Sequence, residues 1–258
     1  MSVGIDVSLG EVAAALALVA LAIAVSLWRG TGLASEYGVA VVRSFIQLTA
    51  IGYVIQAIFD EDTLALVIAL IAAMVLFGAY TARGRADRVP GAFVPLLIAL
   101  SVAGAATLIL VVALDVFEPE PRYLVPVGGM VIGNAMTASA VALNRLGEDI
   151  AEGAGRIEAT LALGATSTEA AAPILRRSLR SAMIPLVDST KTTGLIFFPG
   201  TMVGMLLAGA EPIDAVRLQL VLLWTLLGSI AIATLISTTL AYRNFFTPAH
   251  QLRDPPAP

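Results

Sequence analysis

At 258 residues, with 58% hydrophobic and only 13% charged residues and a mean hydropathy of +0.90, the chain has the composition of a membrane protein. The absence of Cys excludes disulfides and thiolate metal sites, and a net charge of −4 says little of partners when most surface faces lipid. Seven apolar runs approach the roughly 20 residues that cross a bilayer: 12–28, 39–59, 63–80, 94–114, 123–143, 184–210 and 215–242. Each is predicted to be helical, since lipid offers no partner to an unpaired backbone amide. The fold class is therefore all-α and polytopic, with about seven transmembrane helices. The sixth run is the least regular. Asp6 and Glu11 stand where a signal peptide would be basic, so no cleaved leader is expected.

The connections are short apart from a polar island at 144–183, so residues 1–258 read as a single transmembrane domain. Acidic turns at 60–62 and 115–121 face one side, with Pro119 and Pro121 ending the fourth helix. The 84–91 turn makes the third and fourth spans an antiparallel hairpin. Of 15 basic residues, eleven fall on alternate segments: Arg29, Arg83, Arg85, Arg88, Arg145, Arg156, Arg176, Arg177, Arg180, Arg243 and Arg253. The positive-inside rule places these in the cytoplasm of a plasma-membrane protein, with the N-terminus outside and the C-terminus inside. The tail from about 248 to 258 is expected to be disordered.

Between the fifth and sixth runs lies a polar island, residues 144–183, rich in Arg and Glu. From Glu148 to Leu163 the apolar residues Ile150, Ala154, Ile157 and Leu161 recur at spacings of three and four, the mark of an amphipathic helix. Gly164 is placed to stop it. Thr166 and Glu169 form a predicted capping box for a second helix, which Pro173 should kink or restart. The result is a cytoplasmic helix–Gly–helix elbow. Glu158 and Ala159, then Gly164, then Ile174 ten residues later, have the spacing of the loop by which ABC-transporter permeases dock their ATPase. Arg176 and Arg177 stand where that general motif carries Leu-Pro.

Further stretches carry a more specific likeness: 129–138 with Gly129, Gly133, Asn134 and Met136; 143–146; 157–166; 188–195 from Asp188 through Lys191; 199–202; and 246–252. The chain resembles the Fet-type iron-export permeases of bacteria, whose plant relatives are linked to aluminium tolerance. That resemblance implies a homodimeric ABC permease served by a separate ATPase, with metal-related export as its role. No Walker-type phosphate loop is present, so the chain is not expected to be an enzyme, and ATP hydrolysis falls to the partner. No cofactor and no nucleic-acid partner are expected.

Charged and amide side chains within apolar spans mark candidate pathway residues. These are Arg43 and Gln47 in the second run, Asn134 in the fifth, and Asp188 and Lys191, one turn apart, at the start of the sixth. The alternatives are a snorkelling Lys with a neutralising neighbour, and hydrogen-bonding glue for Gln47 and Asn134. Pro199-Gly200 should break the sixth span, with Met202 and Met205 beyond it offering either thioether ligands or apolar filler; metal ligands are not assigned. The pairs Gly129/Gly133 and Gly200/Gly204 are spaced for close helix packing, within the bundle or against a second copy. The competing reading is a secondary transporter or channel driven by an ion gradient, with Asp188 as its carboxylate. A basic elbow has no use in such a carrier.

Overall fold

A computed structural model describes residues 8–61 and 63–253. Among the described residues nine α-helices follow in order: α1 (Leu9–Arg29), α2 (Ala34–Glu61), α3 (Leu64–Arg83), α4 (Phe93–Ala113), α5 (Pro121–Glu152), α6 (Ala154–Ala162), α7 (Ser167–Thr192), α8 (Gly200–Leu207) and α9 (Pro212–Ala241). A 3-10 turn, Tyr242–Phe245, closes α9. Two isolated bridges are the only β-pairing among the described residues. Among the described residues six helices are long and apolar enough to cross a membrane: α1 to α5 and α9. The protein is a polytopic all-α membrane protein.

The chain falls into two compact units. The first takes in the α1–α2 hairpin with residues 207–209. A capping box between Ser8 and Glu11 opens α1, and Gly30, at φ 64°, closes it where a side chain would strain the backbone. The second unit holds the rest: α3, α4, α5, α7 and α9 pack around a core that includes Leu96, Leu100, Leu143, Leu146 and Ile150. Lipid tails are as apolar as leucine, so packing and internal hydrogen bonds must hold such helices together. Gly78 supplies one close approach, since a Cβ there would sit 3.2 Å from Leu100 and 3.4 Å from Ile132. The buried face of α9 is unusually polar, with Ser229, Thr234, Ser237 and Thr238 each bonded to a carbonyl of their own helix. Ser229 also meets Thr107 of α4, tying two spans by a pair that has no water to compete with it.

The core continues beyond the apolar stretch into a polar cap. The 84–92 turn, the last turns of α5, helix α6, the first turns of α7 and residues 242–253 gather at one end of the second unit. Asn244 donates to the Pro90 carbonyl at 2.8 Å, and Thr168 meets the Tyr242 hydroxyl at 3.0 Å. Gly147 is required here, because any Cβ would lie 2.8 Å from that of Arg88. Ile157 and Ile174, from α6 and α7, are buried with Phe245 in the same core.

Three local expectations need revising. The first island helix does not begin at Glu148: α5 runs unbroken from the membrane to Glu152, and α6 begins only after Gly153. A Cβ on Gly153 would stand 2.9 Å from the Asp149 carbonyl, which accepts its N–H at 3.0 Å, so the joint is tight. The sixth run, 184–210, is not one helix. Its first part belongs to α7, which continues through Pro173 and Pro185 to Thr192; a turn follows at 193–199, and α8 completes it. The break therefore starts at Thr193, ahead of Pro199-Gly200. Finally, residues 246–253 are held in a closed turn. Phe246 bridges to Leu252, Thr247 and Gln251 share a backbone bond of 2.8 Å, and His250 reaches Ser167 of α7 at 2.9 Å. Residues 254–258 of the expected disordered tail lie outside the described residues.

Candidate functional site

The elbow is built by two termini set back to back. At the end of α6, the Gly164 N–H donates to the Leu161 carbonyl at 2.9 Å and the Ala165 N–H to that of Thr160 at 3.3 Å. This is the Schellman arrangement, and it needs the left-handed conformation that Gly164 adopts at φ 92°. Two residues later Thr166 caps α7: its hydroxyl accepts from the Glu169 N–H at 3.3 Å, while its own N–H donates to the Glu169 carboxylate at 2.8 Å. Both helix ends thus find hydrogen-bond partners within the elbow itself.

Glu158 and Ala159 lie on the exposed face of α6, and Leu163 at its tip is 90% exposed. Ile174 faces the other way, buried under α6, so it fixes the angle between the two helices. Sequence reasoning singled out the motif positions and passed over Leu163, although an apolar residue beside a stop glycine in a polar loop was a readable signal.

The carboxylate of Glu169 is held below the usual carboxylate range by the backbone N–H of Thr166 and then by its hydroxyl. A lowered folded value means that its contribution to the α7 N-terminus is present above the ordinary value of 4.5 and is lost as pH falls through the folded value. Hydrogen exchange at the Thr166 and Glu169 amides should accelerate in acid beyond its intrinsic pH dependence. Glu169→Gln should abolish that extra term; an identical profile in the variant would show that the cap does not titrate.

Beneath the elbow sits Asp149, the one charged side chain buried among the described residues. One oxygen lies 3.3 Å from Arg145 of the same helix; the other is 3.7 Å from Arg177 of α7 and has no hydrogen bond. Both arginines are about half exposed. The sequence identifies Asp149 as one charge among many; only the packing of α5 on α7 makes it singular.

The predicted pathway residues do not converge on one pocket. Arg43 and Gln47 lie exposed on α2, lining a shallow apolar groove with Gly38 and Ile46. Asn134 is exposed on α5, its amide donating to the Met130 carbonyl at 2.8 Å. Asp188 and Lys191 form an exposed ion pair of 3.3 Å on α7. Met202 is buried and Met205 half-buried in α8, away from any acidic cluster. Among the described residues no group of three or more His, Cys, Asp and Glu could hold a metal.

The glycine pairs divide as well. A Cβ on Gly129 would meet Met74 at 3.8 Å inside the second unit, whereas one on Gly133, Gly200 or Gly204 would meet nothing within 4 Å. Positions 130, 134, 137, 141, 144 and 148 of α5 form one stripe that is half-buried or exposed along the whole helix. The 193–199 turn leaves Leu195 and Ile196 at 89% and 78% exposure.

Over residues 9–246 the chain matches the family model described as "Uncharacterised protein family (UPF0014)". It is 42% identical to "UPF0014 membrane protein STAR2" of rice (Oryza sativa subsp. japonica), over 93% of this chain and 85% of that one. To "Protein ALUMINUM SENSITIVE 3" of Arabidopsis thaliana it is 39% identical, covering 93% and 88%. To the "Probable iron export permease protein FetB" of Escherichia coli K12 it is 35% identical, covering 94% and 93%. No solved structure matches the chain. With the family model spanning 9–246 and relatives matched along most of their own length, the chain belongs to the UPF0014 family of membrane proteins.

Proposed function

We propose that this chain is the membrane subunit of an ABC transporter that exports iron or a related metal species, with two copies of the chain served by a separate ATPase. The observation that carries the reading is the elbow: a short helix ending on a left-handed glycine, with Glu158, Ala159 and Leu163 presented outward. An exposed leucine in a polar loop is an anchor without a pocket, and central apolar anchors dominate interface energies. The relatives named as an iron-export permease and an aluminium-sensitivity protein support a metal-related role. In this reading the polar cap is cytoplasmic in a plasma-membrane protein, by the positive-inside rule, with the N-terminus outside. The pathway runs where Asn134, Asp188 and Lys191 face the second copy, and Arg43 and Gln47 are the candidates for it on α2.

The test is co-purification and coupling. Leu163→Asp should cut retention of the ATPase by about tenfold or more, the scale of one interface anchor. Glu158→Arg should leave insertion intact while uncoupling ATP hydrolysis from export. Normal ATPase binding and normal transport in both variants would defeat the proposal.

A further inference from the structure

Where α5 leaves the apolar stretch, a cavity of about 320 Å³ opens between α5, α7 and the 84–92 turn. Its polar lining is Arg85, Thr137, Asn144, Arg145, Glu148 and Ser181. Two guanidiniums face one carboxylate, and that carboxylate is occupied: Glu148 accepts from Asn144 at 3.1 Å and from Arg145 at 3.4 Å. Arg145 turns its other terminal nitrogen to Asp149 at 3.3 Å. Arg85 has no ion pair and no side-chain hydrogen bond to any described residue, although it lines a concave site beside three neutral polar groups. Thr137 already donates to the Gly133 carbonyl at 3.1 Å, but the Ser181 hydroxyl has no partner among the described residues.

The free donors of this cavity are five N–H groups on Arg85, the unused N–H of Asn144 and the Ser181 hydroxyl, while its one carboxylate, Glu148, already faces Asn144 and Arg145. A bare cation would find one carboxylate here, already engaged. An oxyanion would find a planar fork that matches it bidentately, with a second guanidinium behind. We propose that this cavity binds a phosphate-bearing anion, anchored on Arg85 and oriented by Arg145, Asn144 and Ser181. Two sources share that chemistry. One is an anionic lipid headgroup at the edge of the bilayer, and the other is a free phosphate compound arriving from the polar side. The inference does not depend on the ATPase reading, since it concerns the purified chain alone.

The test uses the full chain in phosphatidylcholine nanodiscs, with and without phosphatidylglycerol, probed by native mass spectrometry for retained lipid and titrated with pyrophosphate by calorimetry. Arg85→Gln should weaken the bound species by about tenfold, the loss of one charge-assisted bidentate contact. Arg85→Lys should fall between, keeping the charge without the fork. Arg217→Gln, on α9 and paired with Asp214, should leave binding unchanged. Saturable pyrophosphate binding that is lost in Arg85→Gln identifies a free anion. Phosphatidylglycerol retained by the parent chain and shed by Arg85→Gln identifies a headgroup. If neither ligand is retained, or if Arg85→Gln and Arg217→Gln bind as the parent does, the proposal is overturned. Should Arg85→Gln fail to fold, Arg85→Lys and Ser181→Ala carry the same comparison.

Discussion

An Arg145→Ala/Arg177→Ala double variant should lose about 3–5 kcal/mol of stability, the cost of stranding a buried charge. Asp149→Asn should lose only about 1–2 kcal/mol. The asymmetry follows from which partner is trapped. Asp149 has a side chain 3% exposed, whereas Arg145 and Arg177 are 45% and 52% exposed. Deleting the carboxylate leaves two arginines that water can solvate, while deleting the arginines leaves a carboxylate with nowhere to go. Unfolding in detergent followed by circular dichroism measures both. Equal losses would mean that Asp149 reaches water in the folded protein and that the cap is looser than described. The single arginine variants should fall between, because each leaves one guanidinium near the carboxylate.

Gly133→Leu should leave the single chain folded and raise the dissociation constant of the proposed two-copy assembly by about tenfold or more. Close helix contact in lipid depends on small residues, and each tenfold corresponds to about 1.4 kcal/mol. The position is chosen by contrast with its neighbours. A Cβ at Gly133 meets nothing within 4 Å, one at Gly129 meets Met74 at 3.8 Å, and one at Gly147 collides with Arg88 at 2.8 Å. Gly147→Leu should therefore destabilise the chain itself, and only Gly133→Leu should spare it. Single-molecule photobleaching in nanodiscs counts the copies. A Gly133→Leu chain that pairs as tightly as the parent would move the seam elsewhere, with Gly200 and Gly204 the next positions to try.

Much of the membrane architecture was readable from hydropathy, because a continuous apolar helix carries its signal in every residue. Both caps of the elbow were readable too, since Gly164, Thr166 and Glu169 act through bonds to near neighbours in the chain. The sixth run was misread because Leu195-Ile196-Phe197-Phe198 is as apolar as any span; nothing in its composition says that Gly194 turns at φ 85° and stops α7 at its entrance. The junction at Gly153 was missed for the opposite reason. Polar residues after Leu143 suggested a new helix, but α5 keeps its buried stripe through Leu146 and Ile150 after leaving the membrane-like stretch. The roles of Asp149 and His250 were not readable at all, because each depends on a contact with α7 that only the folded chain brings within reach.

The order in which a ribosome makes this chain gives residues 242–252 a further meaning. The 84–92 turn and the α7 N-terminus emerge long before Tyr242, Asn244 and His250, yet these late residues complete their hydrogen bonds. Until then Pro90, Ser167 and Thr168 lack those partners, and the pocket that Phe245 fills stands empty. The polar cap therefore closes only once residues 242–252 have been made and reach back to the middle of the chain. Truncation before Tyr242 would remove all of these contacts at once while leaving the sequence of every membrane helix intact.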